Sequence, residues 1–516
     1  MLSFRDSLSK FDYLLALLAG ASMALAFAPF ELRPLAWLAL AVLFWLNLKS
    51  MPVKQRLKLA WVFGVGLFAG GAHWIYVSIH FFGGANSLIA AFMVLLFVLV
   101  MALFLLVFGW LVSRFDHLPV SMKLLLVFPA VWTLTEWLRG WFLTGFPWLL
   151  LGNTQIDTWL AAYAPITGVL GVSWLVALGA GVLVLLVVGS MRERIIAGVL
   201  AVVTTLGGLG LAQINWTQPA GEPLYVSMLQ GNVGQDKKWV PEYRVANIQA
   251  YLDLMDADRF PDVERSHLVI WPETALPDFY HFSKDDVLLP LQEWSREARA
   301  DLLVGGFYFN REQNQVFNAI MALGDGYDVE KSLQTAEGVY GKQHRVPFSE
   351  YIPFLKYLRF LENIVRLPYD NITQWTGTNT LMVAGQPMRM SVCYEDAYGE
   401  EMIAGLPEAT MLVNVSNDGW FTGSIEPAQH AELARMRALE TGRFLLRATN
   451  NGVSAIINEK GKVMTTGPQY KAVAISGYAV PMSGATPYVK MGNWLIIPLM
   501  LAMLVVPLVL MRGKFY

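Results

Sequence analysis

The sequence predicts a multi-span α-helical membrane domain of about eight helices, with an α/β domain inserted before the last span. Three observations predict it. Apolar residues make up 55% of the 516 residues and the mean hydropathy is +0.44, more than a soluble globular chain carries. The excess is gathered into eight runs near 12–28, 35–48, 59–81, 87–112, 122–139, 163–189, 194–213 and 492–511, approaching the roughly 20 residues that cross about 30 Å of hydrocarbon. Between the seventh and eighth runs lies a polar stretch, 217–488, with most of the acidic residues and the strand and turn punctuation of a folded domain. The expected domains are 1–216 with seven transmembrane helices, 217–488 as the insertion, and 489–516 with the last helix and a tail.

The first run has two readings. Arg5 and Lys10 precede an apolar core and Ala26-Phe27-Ala28 resembles a signal-peptide cleavage site, but Pro29 follows directly and more spans come after, which favours a retained helix. His73, Trp74 and Tyr76 close the third run ahead of Gly83-Gly84. In the fifth, Glu136 and Arg139 are three apart, so a helix puts them on one face where they can pair. Trp132, Trp137, Trp141 and Trp148 cluster around them with Gly145, Phe146 and Pro147. Both an interfacial aromatic belt with a structural ion pair and a lipid-headgroup or substrate contact fit that pattern. Charge pairs are not spread through several spans, which argues against an ion-coupled transporter.

Basic residues of the short connections set the orientation. One side collects Arg5, Lys10, Lys49, Lys54, Arg56, Lys58, Arg114, Lys123, Arg192, Arg194, Arg512 and Lys514, while the other short loops offer Arg33 and Arg139. Both termini are therefore expected in the cytoplasm. After seven crossings the inserted domain falls in the periplasm, outside a bacterial inner membrane.

Within the insertion, strands are expected at 225–230, 267–271, 301–305, 318–323, 339–342, 388–392, 411–415 and 453–458, and helices at 241–258, 288–300, 398–405 and 427–443. The stretch His267-Leu-Val-Ile-Trp271 is almost wholly apolar, as a strand covered on both faces is. Strands alternating with helices indicate a layered α/β domain with helices outside the sheet, so reactive groups should gather where strands end. In 347–368, Phe354, Leu355, Leu358, Leu361 and Val365 can share one helical face opposite Lys356, Arg359, Glu362, Asn363 and Arg366. That is either an interfacial helix or lid, or an ordinary surface helix on the sheet.

Cys393 is the only cysteine. It cannot form an internal disulfide or complete a thiolate metal site, which leaves packing or reactivity. In an oxidising periplasm an unpaired thiol is a liability unless it is used. Two other strand ends carry useful chemistry: Glu273 after Trp271-Pro272, and Lys342 after Val339-Tyr340-Gly341. A carboxylate can take the thiol proton, and an ammonium favours the resulting negative charge or the oxyanion of an attacked carbonyl. Together the three suffice for acyl transfer through a thioester.

Glu273 in Trp-Pro-Glu-Thr, Lys342 in Tyr-Gly-Lys-Gln-His-Arg-Val-Pro-Phe-Ser-Glu and Cys393 in Cys-Tyr-Glu-Asp match in order and context the Glu-Lys-Cys triad of the nitrilase (carbon-nitrogen hydrolase) superfamily. With the stretches from Asn414 to Phe421 and from Arg435 to Glu440, and with spans before and after the domain, the whole chain resembles its membrane branch, the bacterial apolipoprotein N-acyltransferases. Departures are small: Ser349 and Gly419 stand where glycine and alanine are frequent in that family.

The resemblance implies a nitrilase-like α-β-β-α sandwich and a ping-pong reaction without cofactor or metal. Cys393 would take an acyl chain from a membrane phospholipid, phosphatidylethanolamine, and pass it to the N-terminal amino group of a diacylglyceryl apolipoprotein. Glu273 would be the base and Lys342 the stabilising cation, with Glu350 and Glu395 as supporting carboxylates. Trp239, Asn318, Tyr394, Trp420 and Phe421 would shape the substrate pocket, or simply pack. An enzyme on a small soluble amide gains nothing from eight spans, whereas lipidated substrates confined to the bilayer can enter between helices. The rivals are a membrane-tethered amidase of the same superfamily and, from another class, a transporter or sensor with an extracytoplasmic binding domain. Nucleic acid is not an expected partner: the formal charge is −2 and no basic stripe lies outside the cytoplasmic loops.

Overall fold

The computed structural model describes residues 8–351, 353 and 372–512. By internal packing these fall into two units: a helical one up to Tyr76, through Asn86–Asn215 and from Lys490 on, and a sheet-containing one made of Val77–Ala85 and Trp216–Val489.

In the helical unit Lys10–Met23 starts with a capping box, in which the Ser9 hydroxyl accepts from the Asp12 amide while the Asp12 carboxylate accepts from the Ser9 amide. This helix lies backbone to backbone against Val53–Gly71: a Cβ on Gly20 would sit 2.0 Å from the Phe63 carbonyl oxygen, and one on Gly66 2.1 Å from that of Leu17. Only glycine permits that approach, the usual device for joining helices where solvent offers no hydrophobic drive.

Fewer long spans appear than the eight expected. Three helices among the described residues are long and apolar enough to cross a membrane, Ser87–Ser113, Trp159–Val188 and Met191–Leu211, or up to five if two bent pairs each count as one. The runs near 12–28 and 35–48 form helices of 14 residues each, Lys10–Met23 and Pro34–Asn47. At a rise of 1.5 Å per residue these reach roughly 21 Å, short of the hydrocarbon thickness. The run near 122–139 is divided between Val120–Met122, a wider turn at Lys123–Val127 and Phe128–Trp141.

Glu136 and Arg139 do lie on one helix, and both hydrogen-bond the chain that follows it. The Glu136 carboxylate accepts from Trp132 Nε1 and the Leu151 amide, both at 3.0 Å. The Arg139 guanidinium donates to the carbonyls of Phe146 (2.7 Å), Trp148 and Leu149 (3.3 Å). The pair therefore stitches the helix end to its loop, satisfying carbonyls that an apolar setting would otherwise strand.

The sheet-containing unit holds β1 (Leu224–Gln230), β2 (Leu268–Ile270), β3 (Asp301–Asn310), β4 (Gln315–Leu323), β5 (Val339–Gly341), β6 (Thr380–Val383), β7 (Gln386–Val392), β8 (Met411–Ser416), β9 (Phe444–Thr449), β10 (Ala455–Ile457), β11 (Val463–Thr466) and β12 (Val473–Ala479). They form two six-stranded sheets, ordered β12-β1-β2-β3-β4-β5 and β11-β10-β9-β8-β7-β6. Each has a parallel centre, β1-β2-β3 in one and β7-β8-β9 in the other, flanked by antiparallel strands.

Alternation along the strands builds the layers. Val226, Met228, Leu268, Ile270 and Leu303 share one buried cluster with Met388, Met390, Val392, Met411, Val413 and Leu446 of the other sheet. The intervening Leu229, Val269, Leu302 and Val304 face away, packing with Tyr251, Leu254, Val287 and Leu291 of the helical layer. On the second sheet Leu412, Leu445, Ala455 and Ile457 pack with Ala434 and Ala438 of helix Glu426–Thr441. The order is helices, sheet, sheet, helices, the expected sandwich.

Differences from the expected elements are local. The helix expected over 241–258 is α-helical only at Arg244–Leu252, with single tight turns at Pro241–Tyr243 and Asp253–Met255. That over 398–405 is Gly399–Met402, and β6, β9, β11 and β12 were not anticipated. The amphipathic segment expected within 347–368 lies for the most part outside the described residues.

Candidate active site

The three sequence-predicted chemical residues all follow the carboxyl end of a strand. Glu273 comes after β2, where the Trp271 amide still pairs with the Leu303 carbonyl (2.8 Å) before the chain turns. Gly305 on β3 makes room for that turn: a Cβ there would lie 2.1 Å from the Pro272 carbonyl oxygen and 2.9 Å from Glu273 Cα. Lys342 follows β5, its amide bonded to the Asn318 carbonyl at 2.8 Å. Cys393 follows β7 and opens the tight turn Cys393–Ala397 with φ +54°, a left-handed backbone that side chains other than glycine rarely adopt. Where a strand turns this sharply, the side chain at the bend is lifted off the sheet, as nucleophiles on such turns are.

One hydrogen-bonded chain links the carboxylates to the lysine. Asn318 Nδ2 on β4 donates to Glu273 Oε1 (2.7 Å) and to Glu350 Oε1 (3.4 Å), and Lys342 Nζ donates to Glu350 Oε1 (2.9 Å). Glu273, Lys342 and Glu350 are 8%, 1% and 3% exposed, so these charges act on one another with little screening by water. Glu350 in turn accepts from the Val346 amide (2.8 Å), which fixes it over the lysine. Lys238 Nζ donates to the Glu273 backbone carbonyl at 3.1 Å and is itself buried.

Glu395 ties the lysine loop to the cysteine turn. Its two oxygens accept from Tyr340 Oη (2.7 Å), the amides of Gln343 (2.5 Å) and His344 (2.9 Å), and the amide of Val392 (2.6 Å). The residues on either side of Lys342 and the residue before Cys393 thus share one carboxylate. Both supporting carboxylates of the sequence reading therefore touch the segments that bear the chemistry.

The electrostatics assign states to the groups. Burial pushes the Cys393 thiol up, Glu273's charge adds to it, and Lys342 and His430 offset this only in part, so it titrates at about 12. At neutral pH the cysteine is a thiol, and its proton has to leave during attack. Burial alone would lower Lys342, but the charge of Glu350, with that of Glu273, outweighs it and holds the ammonium above its ordinary value. Burial drives Lys238 the other way, down to about 7, against the pull of Glu273. Burial also raises Glu395, against Arg389 and the amides it accepts from.

Of the expected pocket residues, Asn318 is the hub just described. Trp239 packs tilted against Phe307 (5.6 Å between ring centroids), which pairs with Asn318 across β3 and β4. Tyr394 is buried with its ring 6.0 Å from His344 and 5.1 Å from Tyr398. Trp420 and Phe421 lie in the turn Asp418–Phe421, where the Trp420 ring meets Phe82 nearly at right angles, 5.7 Å between centroids. The sequence reading gave no role to Phe82, in Ser78–Phe82 of the same unit.

The sequence reading also missed a buried ionic cluster behind Cys393. His430 on helix Glu426–Thr441 bonds Asp396 (2.8 Å) and lies 3.3 Å from Asp418 and 3.4 Å from Glu426. Arg447 on β9 holds Asp396 (3.1 Å) and Asp418 (3.2 Å). Ligand atoms of Asp418, Glu426 and His430 all lie within 4.8 Å of one another, the spacing of a cation site, but the Arg447 guanidinium on Asp418 and the imidazole already supply positive charge there. No sequence signal marks the cluster, since its members come from four separate elements.

Residues 19–182 match the family described as "Apolipoprotein N-acyltransferase N-terminal domain", and residues 225–488 match "Carbon-nitrogen hydrolase". The chain is 42% identical over 482 residues to an apolipoprotein N-acyltransferase of Methylococcus capsulatus, covering 93% of this chain and 92% of that one. It is 38% identical over 491 residues to the enzyme of that name from Nitrosomonas europaea, covering 95% of each chain. A third, from Coxiella burnetii, is 36% identical over 482 residues, covering 92% of this chain and 95% of its own.

Proposed function

Because the chain belongs to the apolipoprotein N-acyltransferase family, we propose that it acylates lipoproteins by a two-step exchange at Cys393, with Glu273 as base and Lys342 as stabilising cation. In the first half the thiol attacks the ester carbonyl of a membrane phospholipid, phosphatidylethanolamine. Glu273 takes the thiol proton as the C–S bond forms, and the oxyanion is met by the Lys342 ammonium. As the intermediate collapses, the ester C–O bond breaks and the proton passes to the departing lysophospholipid oxygen. In the second half the N-terminal amine of a diacylglyceryl-cysteine attacks the thioester. Its proton goes to Glu273, the C–N bond forms, the C–S bond breaks, and the sulfur is reprotonated. The first half leaves Glu273 and Lys342 as they began and Cys393 as the thioester, and the second half restores the thiol, so the kinetics are ping-pong and no cofactor is consumed.

The single observation that carries this reading is the buried chain Glu273–Asn318–Glu350–Lys342 beside a cysteine that is a thiol at rest. A protonated nucleophile needs a fixed base, and the buried ammonium is already charged before any oxyanion forms. Glu350 positions Lys342, and Glu395 registers the lysine loop on the cysteine turn. Trp239, Asn318, Tyr394, Trp420 and Phe421 border the acyl and headgroup space. The basic residues of the short connections support seven crossings before residue 217 and one after 488, with both termini cytoplasmic and the catalytic domain in the periplasm of a bacterial inner membrane.

The acceptor separates this reading from a membrane-tethered amidase. Enzyme charged with phosphatidylethanolamine is mixed with a diacylglyceryl lipopeptide or with buffer alone. Transfer predicts that the lipopeptide discharges Cys393 far faster than water does. Equal discharge by water assigns a hydrolase instead.

A further inference from the structure

We propose that His430 is a positioning residue for Cys393: it clamps the cysteine's backbone carbonyl and so keeps the nucleophile in its left-handed turn. The proposal rests on Cys393 being the acylated thiol, and it concerns a residue to which the transfer chemistry gives no task.

A side chain at φ +54° is strained and persists only where surrounding bonds over-determine it. Two donors converge on the Cys393 carbonyl, Asn414 Nδ2 at 3.0 Å and His430 Nε2 at 3.3 Å. Each donor is itself anchored. The Asn414 side-chain oxygen accepts from Arg447 at 2.7 Å, and His430 Nε2 also donates to Asp396 Oδ1 at 2.8 Å. Arg447 then closes the circuit by donating to Asp396 Oδ2 at 3.1 Å. Cysteine carbonyl, imidazole, carboxylate, guanidinium and amide thus form one ring of hydrogen bonds, and every side chain in it is buried. Asp396 lies within the cysteine's own turn, Cys393–Ala397, so the ring grips that turn at both its first carbonyl and its fourth residue.

The charges of the ring support the same role. The groups facing His430 are Asp396 from the cysteine turn, Asp418 from the loop after β8, Glu426 from its own helix and Arg447 from β9. Burial and Arg447 press the imidazole toward neutrality, but Asp396 and Asp418 outweigh them, and it is held protonated. A protonated ring presents N–H on both nitrogens, so Nε2 is a donor toward the carbonyl whichever way the proton inventory of its neighbours changes. Glu426, raised to about 7 by burial and by Asp418, completes the cluster.

Glutamine places its amide nitrogen where Nε2 sits, whereas asparagine places it where Nδ1 sits. His430→Gln and His430→Asn both remove the imidazolium, so a difference between them isolates the clamp from the charge. Single-turnover thioester formation with phosphatidylethanolamine in detergent micelles is followed for both. The expected result is a fall of about ten- to a hundredfold in kcat for His430→Asn with KM for phospholipid unchanged, and recovery of most of that loss in His430→Gln. Equal rates in the two variants, or a loss confined to KM, overturn the proposal. If neither variant folds, His430→Phe keeps a ring and removes its donors, and thioester formation at the wild-type rate there overturns the proposal equally. Acyl transfer that survives Cys393→Ala would instead remove the underlying reading of the thiol.

Discussion

Replacing Glu350 with glutamine removes one charge from the site and almost no volume. The Lys342 ammonium lies 2.9 Å from Glu350 Oε1, with the two side chains 1% and 3% exposed. At an effective dielectric of about 20, unit charges that close attract by about 6 kcal/mol. Part of this is returned because the carboxylate no longer has to be kept out of water, and the glutamine oxygen still accepts a hydrogen bond. Removing one partner of a buried pair leaves a net cost of roughly 3–5 kcal/mol. Lys342 is then left with Glu273 as a facing carboxylate, since that charge already acts on it, and the base is drawn into an ion pair. Rapid-quench measurement of Cys393 acylation by phosphatidylethanolamine should show a fall of about a hundredfold or more, together with a lower melting temperature in detergent. A Glu350→Gln protein that acylates at the wild-type rate and melts at the wild-type temperature would refute this reasoning.

Glu273→Gln and Lys342→Ala should each cut transfer to lipopeptide by about a thousandfold, and full activity in either contradicts its assigned role. Lys238 titrates near 7 in the folded chain against an ordinary 10.5. Between those values the unfolded chain binds the extra proton, so stability rises with pH across that window and is lowest below it. Lys238→Met should therefore be more stable than wild type below pH 7, by up to about 5 kcal/mol, with the gap closing toward alkaline pH; a gap constant with pH in denaturant titrations rules this out. Gly305→Ala must push the Pro272 carbonyl and Glu273 Cα away from β3. A shift of about 1 Å in the base predicts roughly a hundredfold loss in kcat, and a wild-type rate would show that the turn has more freedom than its packing indicates.

The positions of Glu273, Lys342 and Cys393 were legible because each follows the carboxyl end of a strand, and strand ends are where a layered sheet delivers side chains. β2 illustrates why: its alternate residues face two different cores, so the run before Glu273 had to be apolar throughout. β9 escaped notice for the opposite reason. It carries Arg447, whose charge reads as solvated until Asp396 and Asp418 are seen around it, and those partners are 51 and 29 positions away. His430 was hidden in the same way inside an otherwise ordinary helix. Only three to five of the described helices are long and apolar enough to cross a membrane, because hydropathy finds apolar runs while Pro34 and the tight turn Ala24–Ala26 limit how much of each run is α-helical. Glu350 and Glu395 were placed by resemblance, and only the coordinates give them work, as anchors for Lys342 and for its loop.

The central claim is that the sole thiol carries the acyl group, and mass spectrometry of the protein purified from membranes tests it most directly. The expected spectrum shows a fatty acyl adduct confined to the peptide containing Cys393, released by hydroxylamine and discharged on adding a diacylglyceryl lipopeptide. A thiol that remains unmodified after incubation with phosphatidylethanolamine, in protein that still transfers acyl chains to lipopeptide, would contradict it.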